Sequence, residues 1–338
     1  MFPASYRVAD LRIEPNLVLS PMEGVTDLTF RRLIRGIGGA GLTVTEFVPG
    51  AALGRGDKKV VQTVELDEDE HPVAVQLYGN APGRMAEGAR VVQGMGADIV
   101  DINMGCPSKR VCRSSGGSAL MREPALAREI VAAVVSAVDI PVTVKMRSGF
   151  DASNRNAPEI AWICQEEGAS AVTIHWRTRQ DGYGGVRAVC KIAEAKGRLS
   201  IPVLANGDIV DVRSARRMFE DTGCDGLFVG RGAIRDPWLL LRLQRWMRGE
   251  EEPVVQDSDR HRLLLDYVAG LRARFAISIG SQARVDHAVL GRFKMFTKHF
   301  ATLHLSKDET IRTKLLRSQT LDTALGHVEE YFDRYRVA

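Results

Sequence analysis

The chain has 338 residues, 45% of them hydrophobic, enough to bury a large core and to hold one big domain with a smaller one beside it. Five cysteines without a CxxC pair exclude a disulfide framework and a structural zinc site and imply a reducing compartment; no apolar run nears the roughly 20 residues that span a bilayer, and residues 1–16 carry no signal-type segment, so a cytoplasmic protein is expected. The net charge of +4 lies in the last part of the chain, where residues 271–320 hold 10 Lys+Arg against 3 Asp+Glu, an excess that suits either a solvated helical surface or a nucleic-acid face.

From residue 16 to about 248, short β-branched runs alternate with amphipathic stretches. Strands are expected at 17–19, 42–45, 73–77, 98–102, 142–145, 171–174, 203–205 and 226–229, with helices at 26–37, 83–94, 124–138, 157–167, 187–195, 212–221 and 237–247. Only the interval between the second and third strands lacks a clear pattern. Eight βα units over about 230 residues match a closed parallel (β/α)₈ barrel, a TIM barrel. An open doubly wound sheet would begin with a glycine phosphate fingerprint, whereas the first βα turn reads Ser20-Pro21-Met22-Glu23-Gly24 and no GxGxxG occurs.

In such a barrel the active residues lie where strands end. The exits here are Pro21, Met22 and Glu23; Glu46; Gln76; Asn103 and Cys106; Lys145 and Arg147; His175 and Arg177; Asn206, Gly207 and Asp208; and Gly230 and Arg231. Polar exits behind apolar strands point to one shared rim. The glycines of the last two let backbone N–H groups approach an anion, which implies a phosphorylated cofactor or substrate. Cys106 stands before Pro107, which fixes its own φ and biases Cys106 away from helix, so the thiol is expected on a stiff turn. Ser108, Lys109, Arg110, Arg113, Ser114, Ser115, Gly116 and Gly117 then read as a mobile cationic loop suited to cover a polyanion.

After a polar linker at 249–253 the pattern turns helical, roughly at 258–275, 281–302, 307–317 and 321–335, with Leu263, Leu264, Tyr267 and Leu271 marking one buried face. These would form a small C-terminal helical bundle, dividing the chain into 1–248 and 249–338. Arg292, Lys294, Lys298, His299, Arg312, Lys314 and Arg317 interleave with Phe293, Phe296 and Phe300; the phenylalanines are expected in the core and the cations outside.

The ordered set Ser-Pro-Met-Glu-Gly-Val-Thr-Asp (20–27), Val-Gln-Leu-Tyr-Gly (75–79), Asp-Ile-Asn-Met-Gly-Cys-Pro-Ser-Lys (101–109), Val-Lys-Met-Arg-Ser-Gly (144–149), Ile-His-Trp-Arg-Thr (174–178), Ala-Asn-Gly-Asp-Ile (205–209) and Val-Gly-Arg-Gly (229–232) resembles the tRNA-dihydrouridine synthases. The helical tail resembles that family's tRNA-binding domain. The resemblance breaks after His175, where the family usually has glycine and this chain has Trp176. It implies an FMN enzyme that uses NADPH to reduce the C5=C6 bond of a D-loop uridine in tRNA. Hydride would add at C6, and Cys106 would give the proton to C5. Pro21, Met22, Glu23, Gln76, Lys145, His175, Asn206, Gly207, Asp208, Gly230 and Arg231 would hold the flavin. Lys145 suits charge near flavin N1 and C2=O, and Gln76 the ring edge. Asn103, Lys109, Arg110, Arg113, Arg177, Arg292, Lys294 and Lys298 would meet the RNA, whose target base must be extruded from the stack. No metal or membrane is implied, and a monomer is the default. Glu23, residues 45–48 and residues 181–183 are similar to the branch acting early in the D-loop.

Three other readings stay open on the residues alone. A free-pyrimidine reductase of the dihydroorotate dehydrogenase type would share the barrel, the FMN and the cysteine loop. A class I aldolase would use Lys145 as a Schiff-base nucleophile. A non-catalytic RNA-binding barrel protein would not need Cys106.

Overall fold

Strands buried on both faces have to close on themselves or be covered by helices, and this chain does both. The computed structural model describes residues 2–335 apart from Ser114 and Tyr183, so two expectations, the serine within the cationic segment and the tyrosine of 181–183, fall outside the described residues. A hairpin of β1 (Tyr6–Val8) and β2 (Leu11–Ile13) comes first. It is followed by β3 (Leu17–Leu19), β4 (Leu42–Val44), the short β5 (Val48–Pro49), β6 (Val73–Tyr78), β7 (Ile99–Met104), β8 (Val142–Arg147), β9 (Ala171–His175), β10 (Val203–Asn206) and β11 (Gly226–Val229). Strands β3, β4 and β6 to β11 are parallel neighbours in that order, and the β4–β6 pairing with the β11–β3 pairing closes the eight into a barrel.

Around it run α1 (Leu28–Ile37), α2 (Gly50–Gly54), α3 (Lys58–Thr63), α4 (Pro82–Gly94), α5 (Lys109–Arg113), α6 (Pro124–Val135), α7 (Ala157–Glu166), α8 (Cys190–Arg198), α9 (Val212–Thr222), α10 (Arg231–Arg235) and α11 (Leu239–Arg248). Their ends follow local chemistry. Asp27 caps α1 through Phe30 N–H, Asp211 and Ser214 form a reciprocal cap on α9, and Gly223 and Gly249 end α9 and α11 at φ 63° and 71°. All eight expected strands are present. The unreadable interval between the second and third contains β5, α2 and α3, elements of two to six residues that leave no periodicity to detect.

Because alternate residues face inward, the barrel interior is layered. Val18, Leu42, Ala74, Ile99, Ala171 and Leu204 pack with Tyr6, Val8 and Ile13 of the hairpin, which plugs the amino end. Above them lie Gln76, Asp101 and Thr143, and above these Asn103, Lys145, His175 and Asn206. With one end stoppered by apolar side chains, only the carboxyl end is open to a ligand.

Four helices follow: α12 (Asp257–Ser278), α13 (Gln282–His304), α14 (Glu309–Arg317) and α15 (Leu321–Tyr335). Phe293, Phe296 and Phe300 are buried as expected. They do not form a separate core: Phe30 of α1 packs edge-on against Tyr267 and Phe296, and the same apolar cluster runs from the barrel into the bundle. Among the described residues no helix is long and apolar enough to cross a membrane.

Candidate active site at the open end of the barrel

A cavity of about 490 Å³ opens at the carboxyl rim, within the range of cofactor sites. Its wall includes Pro21, Met22, Asn103, Cys106, Lys145, Arg147, His175, Asn206, Gly207, Asp208, Gly230 and Arg231, so six of the eight strand exits meet there, those of Glu46 and Gln76 staying outside it. Lys145, Arg147, Arg231 and Arg235 line it against the single carboxylate of Asp208. Such a lining favours an anion.

At one end stands Cys106. The Asn103 carboxamide oxygen accepts the N–H groups of Gly105 (3.0 Å) and Cys106 (2.8 Å), folding the chain back so that the thiol reaches the cavity. The Asn103 amide donates to Gln76 Oε1 (2.6 Å), the Gln76 amide donates to Asp101 Oδ2 (2.5 Å), and Thr143 Oγ1 donates to Asp101 Oδ1 (2.6 Å). The chain thus descends from the cysteine turn into the barrel. From the other side Arg147 donates through Nε to Gly105 O (2.8 Å) and through Nη1 to Thr178 O (2.7 Å). Burial pushes the Cys106 thiol above its ordinary range, against a smaller opposing pull from hydrogen bonds to Ser108. The thiol is therefore held protonated at neutral pH.

Two of the expected contacts are engaged within the protein: Asn103 holds the turn with its side chain while still lining the cavity, and Gln76 is fully buried, tied to Asn103 and Asp101, and off the cavity wall. Both face inward on neighbouring strands, so they meet each other first.

The far end is ionic. Asp208, at φ 52°, takes both terminal nitrogens of Arg177 (3.0 and 2.6 Å) and Nη2 of Arg231 (2.8 Å). Burial would raise its pKa, but the two guanidiniums hold it below the ordinary carboxylate range. Arg177, expected to meet the RNA, is buried, with Nε bonded to Gly184 O (2.7 Å) and both terminal nitrogens on Asp208. His175 does face the cavity. Its Nδ1 accepts the Arg177 N–H (3.1 Å), which leaves the proton on Nε2, and burial followed by the field of Lys145, Arg147, Arg177 and Arg231 keeps the ring neutral. Lys145 donates to Asn206 Oδ1 (3.0 Å), while Asn206 donates to Phe228 O (2.7 Å). Burial, then Arg147, lowers the Lys145 pKa to about 8.

Trp176 is buried behind this end, under the Arg177 guanidinium at 3.9 Å, and its Nε1 has no hydrogen-bond partner. Gly207 makes room for it: at φ 120°, a Cβ there would come within 2.5 Å of the indole.

The cationic segment after Pro107 is a helical turn, α5, followed by a 3₁₀ turn (Gly117–Arg122), not the loop expected, because Val111 is buried and anchors it. Lys109 and Arg113 are exposed there, and Arg110 pairs with Glu23 (2.5 Å) across the rim. That pairing takes Glu23 off the cavity wall. In the helical region, Lys298 is exposed as expected, but Lys294 donates to Ser318 O at the end of α14, and Arg292 is half-buried against Glu46 (3.1 Å) and near Asp27 (4.0 Å). The second oxygen of Glu46 accepts Gly24 N–H (2.6 Å), so Arg292 and Glu46 tie α13 to the first βα turn. These two cations were read as outward-facing because carboxylate and carbonyl partners far away in the chain leave no local mark.

Sequence reasoning missed Phe47, Arg235 and His299 in the cavity wall. Arg235 lies one helical turn after Arg231, a signal that was available. Among the described residues no group of three or more His, Cys, Asp or Glu side chains could hold a metal ion.

A family model for dihydrouridine synthases matches residues 18–328. The tRNA-dihydrouridine synthase B of Pseudomonas putida is 40% identical over 286 residues, 84% of each chain. That of Pseudomonas syringae pv. tomato is 39% identical over 333 residues, 98% of this chain and 95% of its own, and a probable tRNA-dihydrouridine synthase of Rhodobacter capsulatus is 43% identical over 244 residues, 72% of this chain and 75% of its own.

Proposed function

The chain belongs to the dihydrouridine synthase family, and on that premise we propose that it reduces the C5=C6 bond of a D-loop uridine in tRNA, with FMN bound in the cavity and NADPH as reductant. The observation that carries this reading is a thiol kept protonated by burial at the mouth of a cavity lined by four cations and one carboxylate. Bound flavin would supply hydride to C6 of the uracil. The cavity fits such a group: Met22 offers an apolar face, Gly230 leaves space between Met22 and Ser20, and the cations of the ionic end suit a phosphate.

The chain's own residues then have separable tasks. Cys106 gives its proton to C5, and its raised pKa means the acid form is in place before the base arrives. Lys145 places positive charge against an electron-rich ring, with its ammonium aimed by Asn206. His175 donates from Nε2 to an oxygen of the ligand. Lys109 and Arg113, exposed on the helical turn after Pro107, with Lys298 and the rest of residues 249–338, supply the backbone contacts that offset the few kcal/mol of base extrusion.

The chain reconstituted with FMN and given NADPH should form dihydrouridine in unmodified tRNA, read by the two-hydrogen mass increment. Cys106→Ala should keep tRNA binding and lose at least about 100-fold in product formation. An unchanged rate in that variant would overturn the assignment of the acid, and reduction of free uracil or orotate without activity on tRNA would overturn the substrate.

A further inference from the structure

Polar side chains around the cavity are almost all engaged by the protein itself. Lys145 is held by Asn206, Arg147 by two carbonyls, and Arg231 and Arg177 by Asp208. Two are not. Among the described residues no hydrogen bond or salt bridge engages the Arg235 guanidinium or the His299 imidazole, yet both line the cavity. They come from different parts of the fold. Arg235 ends α10 four residues after Arg231, so the two arginines share one face of that turn. His299 is on α13, which packs against α10, and among the described residues it is the one cavity residue supplied by the helical region. Lys298 stands next to it, exposed.

A guanidinium with no carboxylate at salt-bridge distance, Asp211 acting on it only from further off, and an imidazole on the same wall, beside the second guanidinium of Arg231, are short of one kind of atom: an anionic oxygen. We infer that Arg235 and His299 form the outer wall of a phosphate site, binding the terminal phosphate monoester of the cofactor, so that the helical region completes the cofactor site. The alternative source of the same chemistry is a phosphodiester of the RNA. The monoester is favoured because these residues sit with Arg231, Gly230 and Gly232 at the ionic end, whereas the thiol that must meet the base stands among Phe47 and Pro107. Burial lowers the His299 pKa, with Lys298 and Arg231 adding to it, so the ring acts as a neutral donor. Seating of the helices and retention of the cofactor are then one equilibrium.

This inference rests on the flavin reading, and the test separates the two. Fluorescence titration of the full-length, flavin-free chain would compare FMN with riboflavin, which lacks the phosphate. Arg235→Gln and His299→Gln should each weaken FMN about tenfold or less and leave riboflavin unchanged, as expected for one lost charge-assisted hydrogen bond. Arg235→Lys should restore part of the loss, and thermal melts of each variant would show whether it folds. An unchanged FMN-to-riboflavin ratio in both glutamine variants, beside a large ratio in the parent, overturns the inference. The same unchanged ratio with weaker tRNA binding and a salt slope reduced by about one assigns the phosphate to RNA and overturns the cofactor assignment. A parent chain that binds neither flavin overturns the flavin reading itself.

Discussion

At one end of the cavity the Cys106 turn hangs on short hydrogen bonds that run from Thr143 through Asp101 and Gln76 to Asn103; at the other, Asp208 is clasped between Arg177 and Arg231. The first arrangement fixes geometry and buries the sulfur, and that burial keeps the thiol protonated, which is what a proton donor needs. The second holds charge ready for an anion, and, being partly exposed, it is screened by salt in a way the buried chain is not. One barrel rim thus offers a neutral and an ionic environment to two halves of one ligand assembly.

The contrast can be broken at either end. Asn103→Ala should have the largest effect on the fold: it strips the acceptor from two N–H groups, one of them fully buried, and should cost about 3 kcal/mol in urea denaturation while lowering product formation more than tRNA affinity. A loss below about 0.5 kcal/mol would mean that Arg147 alone holds the turn. Asp208→Asn should be milder, because that carboxylate is partly exposed; it should weaken FMN binding and lower thermal stability by about 1 kcal/mol, with the difference from the parent shrinking in high salt. Salt-independent behaviour would show that the clasp works by hydrogen bonding alone.

The smallest effect is a titration. Lys145 has a pKa lowered to about 8, so its charge is complete below that pH and is lost as pH rises through it. Binding of an anionic cofactor favours the ammonium, so the apparent Kd should be flat below pH 8 and rise above it by at most about tenfold per unit. Lys145→Met should bind more weakly and flatten the curve. A curve that still bends in that variant would assign the limb to another group.

Much of this was readable in advance where a residue's own environment decided its place. Runs such as Val-Ala-Val-Gln-Leu can only be buried strands, and the period of two sends Asn103, Lys145 and His175 inward at the strand ends. What stayed hidden were choices between partners. Nothing local announces that Gln76 bonds to Asn103 rather than reaching the cavity wall; His175 and Arg177 exit the same strand, and the arginine pairs with Asp208. The cationic stretch after Cys106 read as a loop from its serines and glycines, but one buried side chain, Val111, was enough to wind it into a turn.

Glu46 and Arg292 meet although 246 positions separate them, and Phe30 lies against Tyr267 and Phe296 in the same seam. A chimaera joined at the 249–253 linker would therefore inherit mismatched halves of a single lock. To exchange the tail for a relative's, an engineer would have to carry Asp27, Phe30 and Glu46 along with it, and natural drift in RNA preference is bound by the same requirement to change both sides together.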